Sequence, residues 1–452
     1  MGLYRSTKES GHVGDYYGRA RSLPRVVTAN DVFSLRQKLK GHVLIIRSAV
    51  ACETCSQVTT VRIGMGQGIR QEHTIQCSKC SEPISFGMNV DYENLGTEVF
   101  AIENCSIVPS PAPGTGPVVN VDANFAIPEN MADQDFTFHR LNQMQEMVEA
   151  AKAFGPLPTA KFDPNAPRRP YSDFSSEWKQ LKKAASLMAN GHSKLALRRM
   201  KEASEEHYSN QPLDSVSDWF IRFTMKLLGR KYQSRFKAVL KEFSEIRENH
   251  DVGPLFEHYE ANMVEDRFVR YREIFTDFFS RYEQFSQVIF RAALDLKLSD
   301  DLVASSVQFD AVKSFYGDAF EVFAGNVDLL AMMNNVKSGR DYDQFKELTL
   351  DKYLKLDNSS KFNPFADNAV FAELCEERDN QLRNASHHKG FRIDGEGRKI
   401  TYRAGKGGTG ETQEISYAEY LFRSVNLFLQ ICVLVCIELA VCSGSGIKLP
   451  FD

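Results

Sequence analysis

The sequence predicts an α+β protein of several domains. A small β module near the N-terminus leads into a mainly helical remainder that ends in a helix bundle with a small β-hairpin insert. Three observations predict this. Two Cys-x-x-Cys pairs, Cys52/Cys55 and Cys77/Cys80, stand in a stretch of β character. Two proline-rich breaks follow, at 109–117 and 156–170. Beyond Tyr171 the apolar residues recur mainly at helical spacing. The 452 residues allow two or three domains with full cores, and 42% hydrophobic and 25% charged residues with a net charge of -4 describe an ordinary soluble globular protein.

Residues 1 to about 35 are polar and expected to be irregular, and they lack the apolar run of a secretory signal. Nine cysteines in a chain of this length, four of them arranged as ligands, suit a reducing cytosol better than a disulfide scaffold, so a cytoplasmic location is expected. From Gly41 the pattern turns to β. His42–Ile46 is a short apolar strand leading towards Cys52-Glu53-Thr54-Cys55, and Cys77-Ser78-Lys79-Cys80 follows 21 residues later. Each knuckle supplies two thiolates and the intervening hairpin brings the pairs together, which predicts a four-cysteine zinc site of the ribbon type. Four thiolates close the coordination sphere, so the zinc is expected to be structural rather than catalytic. A redox dithiol would not account for two knuckles. Strands continue through Pro83–Val90 and Glu98–Val108, where Cys105 reads as a core residue. Gly64–Gly68 lacks the lysine and the helix start of a phosphate loop. The ribbon module is bounded at about 30–125.

A helix is expected over Asp133–Phe154. The middle region, 126–250, becomes helical and basic after Tyr171, and from Lys161 to Lys241 it holds 17 Lys and Arg against 8 Asp and Glu. Lys182, Lys183, Arg198, Arg199, Arg230 and Lys231 represent its clusters. Such an excess can steer a polyanion and hold its phosphates without reading sequence, so RNA contact is expected here; the bland alternative is a solvated helix face.

Leu255–Leu298 opens the C-terminal region as a long helix. Phe268, Tyr271, Phe275, Phe278, Tyr282, Phe285, Ile289, Ala292 and Leu296 recur at steps of three and four, a stripe that packs against partner helices. Further helices are expected near Val307–Val336, Pro364–Lys389 and Ser416–Val441. Val425–Cys442 approaches the length of a membrane span, but Asn426, Gln430 and Glu438 interrupt it, which favours a buried terminal helix over an anchor. Gly405–Gly410 lacks the Gly-Lys-Ser/Thr order of a nucleotide loop and reads as a flexible hairpin loop.

The helix over about Phe365–Lys389 ends in Arg383-Asn384-Ala385-Ser386-His387-His388, and Gly390 stops it. An arginine stays cationic and a histidine titrates near neutrality, so together they can hold a phosphate and move a proton. If His388 acts on a ribose 2'-hydroxyl while Arg383 neutralises charge on the non-bridging oxygens, a phosphodiester breaks without a metal, and DNA is no substrate. Arg383 with His387, and Asn384 with His388, are four apart and nearly share a helix face, so helical geometry does not choose between the histidines. The same residues also suit a polar helix end whose His and Lys complement the dipole.

Arg383-Asn384-x-x-x-His388 is followed by Phe391-Arg392-Ile393-Asp394, the turn Gly395-Glu396-Gly397, Lys399–Arg403, a Gly-rich loop and Ile415–Tyr420 entering a helix. This arrangement resembles the HEPN-domain ribonucleases of bacterial toxin-antitoxin and phage-defence systems, over residues 251–452. The resemblance implies a HEPN four-helix bundle with the small hairpin inserted, and catalysis by Arg383, Asn384 and His388 with His387 auxiliary. Arg383 would stabilise the phosphorane, His388 would serve as acid or base, and Asn384 would orient either. It implies no catalytic cofactor and an endoribonuclease that leaves 2',3'-cyclic phosphate ends on tRNA or mRNA. It also implies a homodimer sharing one cleft, an antitoxin or defence-system partner, and a role in abortive infection or growth arrest. The alternative is a non-catalytic HEPN module that binds RNA, a nucleotide or a partner protein, with the ribbon as its docking platform.

Overall fold

A computed structural model describes residues 45–64, 70–91, 96–112, 115–121, 127–128, 174–208, 211–298, 300, 302–304, 309–387, 391–394, 398–403, 405 and 410–452. The expected irregular N-terminal stretch and the helix over Asp133–Phe154 lie outside these residues.

The chain is mixed α and β, with an N-terminal β region and a helical remainder. Seven strands build the first part: β1 (Ile45–Cys52), β2 (Val58–Gly64), β3 (Arg70–Gln76), β4 (Pro83–Asp91), β5 (Gly96–Glu103), β6 (Cys105–Val108) and β7 (Val118–Val121). They form two sheets, ordered β6-β1-β2-β7 and β3-β4-β5, in which every pairing is antiparallel except that of β2 with β7. Along β3 the odd positions Gln71, His73 and Ile75 are buried and the even ones exposed, the alternation of a strand with one inward face. Ile63, Ile75, Ile84, Phe86, Met88 and Val119 meet in a core common to both sheets. A two-residue strand β8 (Ile127–Pro128) pairs with β9 (Leu302–Val303), joining the chain beyond the β module to the helical part.

The helices are α1 (Phe174–Ala189), α2 (Ser193–His207), α3 (Val216–Leu227), α4 (Arg230–Asn249), α5 (Gly253–Asn262), α6 (Val264–Ser280), α7 (Tyr282–Ser286), α8 (Ile289–Leu294), α9 (Phe309–Val312), α10 (Phe315–Ala324), α11 (Asp328–Lys337) and α12 (Leu350–Leu354). A 3-10 turn (Ser360–Phe365), α13 (Ala369–Leu374), α14 (Asn380–His387) and α15 (Tyr417–Ser445) complete the set. Their buried side chains, from Trp178 to Leu449, form one continuous cluster.

Three expected helices are subdivided. Leu255–Leu298 breaks at Met263, Arg281 and Gln287–Val288 into α5 to α8. The aromatic stripe is buried from Phe268 to Phe278 and at Phe285 and Ala292, with Tyr282, Ile289 and Leu296 partly buried; Phe278 stacks on Phe428 of α15 at 3.8 Å and on Phe285 at 4.7 Å. The bends let short helices follow α15, where a straight rod would leave it. Val307–Val336 is α9, α10 and α11, and the helix expected over Phe365–Lys389 is the 3-10 turn, α13 and α14. The expected hairpin is a three-stranded antiparallel sheet, β10 (Arg392–Ile393), β11 (Lys399–Arg403) and β12 (Thr412–Ser416).

Helix α15 is long and apolar enough to cross a membrane by length and composition, yet 89% of its most apolar window is buried inside the fold. Ser416 caps it by accepting the Glu419 N–H at 3.0 Å, and Gly446 ends it at φ +70°. Each polar interruption has a partner. Asn426 accepts from the Tyr232 hydroxyl at 2.7 Å, and Gln430 exchanges bonds with the Glu377 backbone at 2.8 and 3.0 Å. Glu438, fully buried, accepts from Tyr259 (2.6 Å), Tyr271 (2.5 Å) and Arg267 (2.6 and 2.8 Å). Arg267 also reaches Asp328 and the Asn326 carbonyl. Burial opposes the Arg267 charge, but the Asp328 and Glu438 carboxylates outweigh it and raise its pKa further.

Arg267→Met leaves Glu438 and Asp328 as uncompensated buried carboxylates. Chemical denaturation should report a loss of about 3–5 kcal/mol. A loss below about 1 kcal/mol would show that the network does not hold the bundle.

Candidate functional site

The four cysteines come together through two matching turns. Cys52 closes β1, and the turn to β2 is fixed by Ser56 N–H to Cys52 O (2.8 Å) with Ser56 at φ +60°. After β3 the pattern repeats, with Ser81 N–H to Cys77 O (2.9 Å) and Ser81 at φ +62°. Asn104, itself at φ +51° between β5 and β6, ties the turns together: it donates to Pro83 O (2.9 Å) and accepts from the Thr54 hydroxyl (2.8 Å). The four sulfurs of Cys52, Cys55, Cys77 and Cys80 lie within 4.8 Å of one another, with Cys52 to Cys80 at 3.7 Å and Cys55 to Cys77 at 3.5 Å. A tetrahedral metal with bonds of about 2.3 Å to sulfur needs edges of about 3.8 Å.

The thiols do not ionise alike. Burial resists ionisation of Cys77, but the backbone N–H groups of Cys80 and Lys79 outweigh it and lower that thiol to about 7. At Cys80 the backbone bond at Glu82 favours the thiolate, but desolvation and the three other sulfurs push the thiol up to about 12. Four thiolates this close would need a cation among them, and the cluster is compatible with a bound metal. Cys105 is not part of the set. It is buried, bonds Ser85 O at 2.9 Å, and burial raises its thiol.

The second candidate is the end of α14. The segment 375–379 leading into it is clamped to α15 and α10. Gln430 holds both backbone groups of Glu377; Arg423 binds the Glu377 carboxylate at 2.8 Å and Asp379 at 3.0 Å; and the Tyr316 hydroxyl donates to Glu377 (2.5 Å) and accepts the Asp379 N–H (2.9 Å). Burial and the Glu377 charge raise the Tyr316 hydroxyl, keeping it protonated. Asp379 then caps α14 by accepting the N–H groups of Gln381 and Leu382 at 2.8 and 3.0 Å.

Arg383, half-buried, forms an ion pair with Glu321 of α10 and donates to Asn384 Oδ1 at 2.6 Å. Glu321 also accepts from Asn358. His387 is exposed at the last residue of α14. A Cβ placed on Gly317 would stand 2.3 Å from His387 Nε2 and 2.6 Å from Ser386 Oγ, so glycine is what lets α10 and α14 approach this closely. His388 lies outside the described residues. Arg383, Asn384 and His387 therefore share one helix end. Glu321, Gly317, Tyr316 and Arg423 also frame it, and none of these has a local sequence signal.

The basic residues are scattered over three helices. Lys182 and Lys183 lie on α1, and Arg198 and Arg199 lie on α2, where both pair with Glu202 at 3.1 and 2.8 Å. Arg230 opens α4, and Lys231 is engaged by Asp295 and Glu376, each at 2.7 Å.

Purified protein should carry one tightly bound metal per chain. Metal analysis should find it lost in Cys55→Ser/Cys77→Ser and released on acidification, because every ligand must shed its proton to bind. Gly317→Ala gains about 1 kcal/mol of helix propensity yet drives a methyl group into the His387 ring. Its stability should therefore move by no more than about 1 kcal/mol, while the His387 imidazole NMR resonances shift. No protein-family model, no curated protein and no solved structure matches this chain.

Proposed function

We propose that the chain is a metal-independent endoribonuclease of the HEPN type, acting in bacterial anti-phage defence or as a toxin. The observation that carries the reading is the end of α14, where Arg383, Asn384 and His387 stand together and His388 follows in sequence. His388 takes the proton from a ribose 2'-hydroxyl as that oxygen attacks the adjacent phosphorus. The guanidinium of Arg383 binds the non-bridging oxygens as negative charge grows there. Asn384 orients the phosphate or the imidazole, and His387 assists. The leaving 5'-oxygen takes up a proton, so the products are a 2',3'-cyclic phosphate and a 5'-hydroxyl. Only RNA, tRNA or mRNA, offers the attacking group. Two chains would present two such helix ends to one cleft.

The four thiolates hold zinc in this reading, as a closed structural centre that keeps the β module folded.

One observation favours a second reading. The Arg383 guanidinium is already engaged by Glu321 and Asn384, as suits a module that binds RNA, a nucleotide or a partner without cutting. The two are separated by incubating wild type, His388→Ala and Arg383→Ala with total bacterial RNA in excess EDTA. Cleavage by wild type leaving cyclic phosphate ends, with both variants slower by about 100-fold or more, supports the nuclease. Equal cleavage by all three removes the proposed site. RNA retention without cleavage supports the binding module.

A further inference from the structure

The side of the bundle formed by α1, α3 and α6 holds a cavity of about 310 Å3, bounded also by Pro450 and Phe451. Its walls are aromatic, with Trp178, Phe220, Phe268 and Phe451 contributing. Phe451 meets Phe268 edge to face at 5.5 Å. Three charged side chains also line it: Lys182 from α1, and Glu265 and Arg272, two turns apart on α6. Among the described residues neither Lys182 nor Arg272 has a carboxylate partner, unlike Lys226 and Lys231, which are paired at 3.0 and 2.7 Å.

A second observation concerns Trp178. It is 2% exposed, and its indole N–H is buried without an acceptor, whereas the other tryptophan, Trp219, donates to Glu177 at 3.3 Å. The indole N–H is sealed from the cavity, so Trp178 contributes an apolar ring to its wall rather than a donor. The volume is at the small end of ligand sites, which combine apolar walls with a few convergent polar groups.

We propose that this cavity binds a small organic monoanion: an apolar body against the aromatic walls, and a carboxylate held by Lys182 and Arg272. Two cations against one carboxylate leave a single positive charge, which matches a carboxylate rather than a phosphate dianion. The inference does not rest on the nuclease reading: none of these residues belongs to the α14 site, although Lys182 is also among those expected to contact RNA.

The test titrates the full chain with 2-naphthoate and with decanoate, representing aryl and alkyl sources of the same chemistry. Their neutral counterparts, 2-naphthamide and decanol, serve as controls. Binding is followed by calorimetry and by fluorescence of the two tryptophans. At least one carboxylate should bind saturably at one per chain, about tenfold or more tighter than its neutral analogue, and Lys182→Ala/Arg272→Ala should lose about that factor with an unchanged circular dichroism spectrum. Val269→Trp, at an exposed position lining the cavity, should block binding while leaving the core intact. Absence of saturable binding by either carboxylate overturns the proposal. So does equal affinity for the neutral analogues, or a double variant that binds as well as wild type.

Discussion

Glu438 sits in a long, strongly apolar helix, fully buried, and a lone carboxylate there would cost several kcal/mol. Helix α15 can therefore close into the interior only where donors reach that residue. Arg267 and Tyr271 arrive from α6 and Tyr259 from α5, while Asp328 at the start of α11 takes the remaining side of the arginine. This cluster fixes how three helices meet around α15. The same helix, nearer its start, offers Arg423 and Gln430, which seize the chain at Glu377 and Asp379. The direction of α14, and with it the placement of Arg383 and His387, thus follows from the burial of α15.

At the end of α14 the electrostatics are partly spent within the molecule. Of the Arg383 donors, one nitrogen faces Glu321 and another Asn384. Its Nε is buried with no hydrogen-bond partner among the described residues. Any phosphate placed there would have to share the guanidinium with Glu321 or displace it, an exchange between charge-assisted bonds of similar strength. Glu321, itself held by Asn358, thereby keeps the arginine in one orientation.

The β module meets the opposite electrostatic problem. Its two sheets are small, and its knuckles press four sulfurs together at distances where one thiolate raises the cost of the next. The left-handed serines, Ser56 and Ser81, and the bridging Asn104 preset the turns, so a metal would enter a geometry already close to tetrahedral.

The sequence by itself determined what depends on local spacing and residue type. Two Cys-x-x-Cys turns converge because the chain between them is short, although β2 and β3 join different sheets instead of forming the expected hairpin, and the aromatic stripe from Phe268 to Phe285 is largely buried because its period demands one covered face. Asn426, Gln430 and Glu438 already favoured a buried terminal helix over a membrane anchor. What only the tertiary structure decided depends on residues distant in the chain. Local propensity gave no reason to break 365–389 at Cys375–Asp379, because the break is made by Gln430 and Arg423 from α15. It likewise could not pair Arg383 with Glu321, or show that Gly317 is the clearance for His387. These contacts join residues roughly 60 to 70 apart in the chain, and only packing around α15 brings them together.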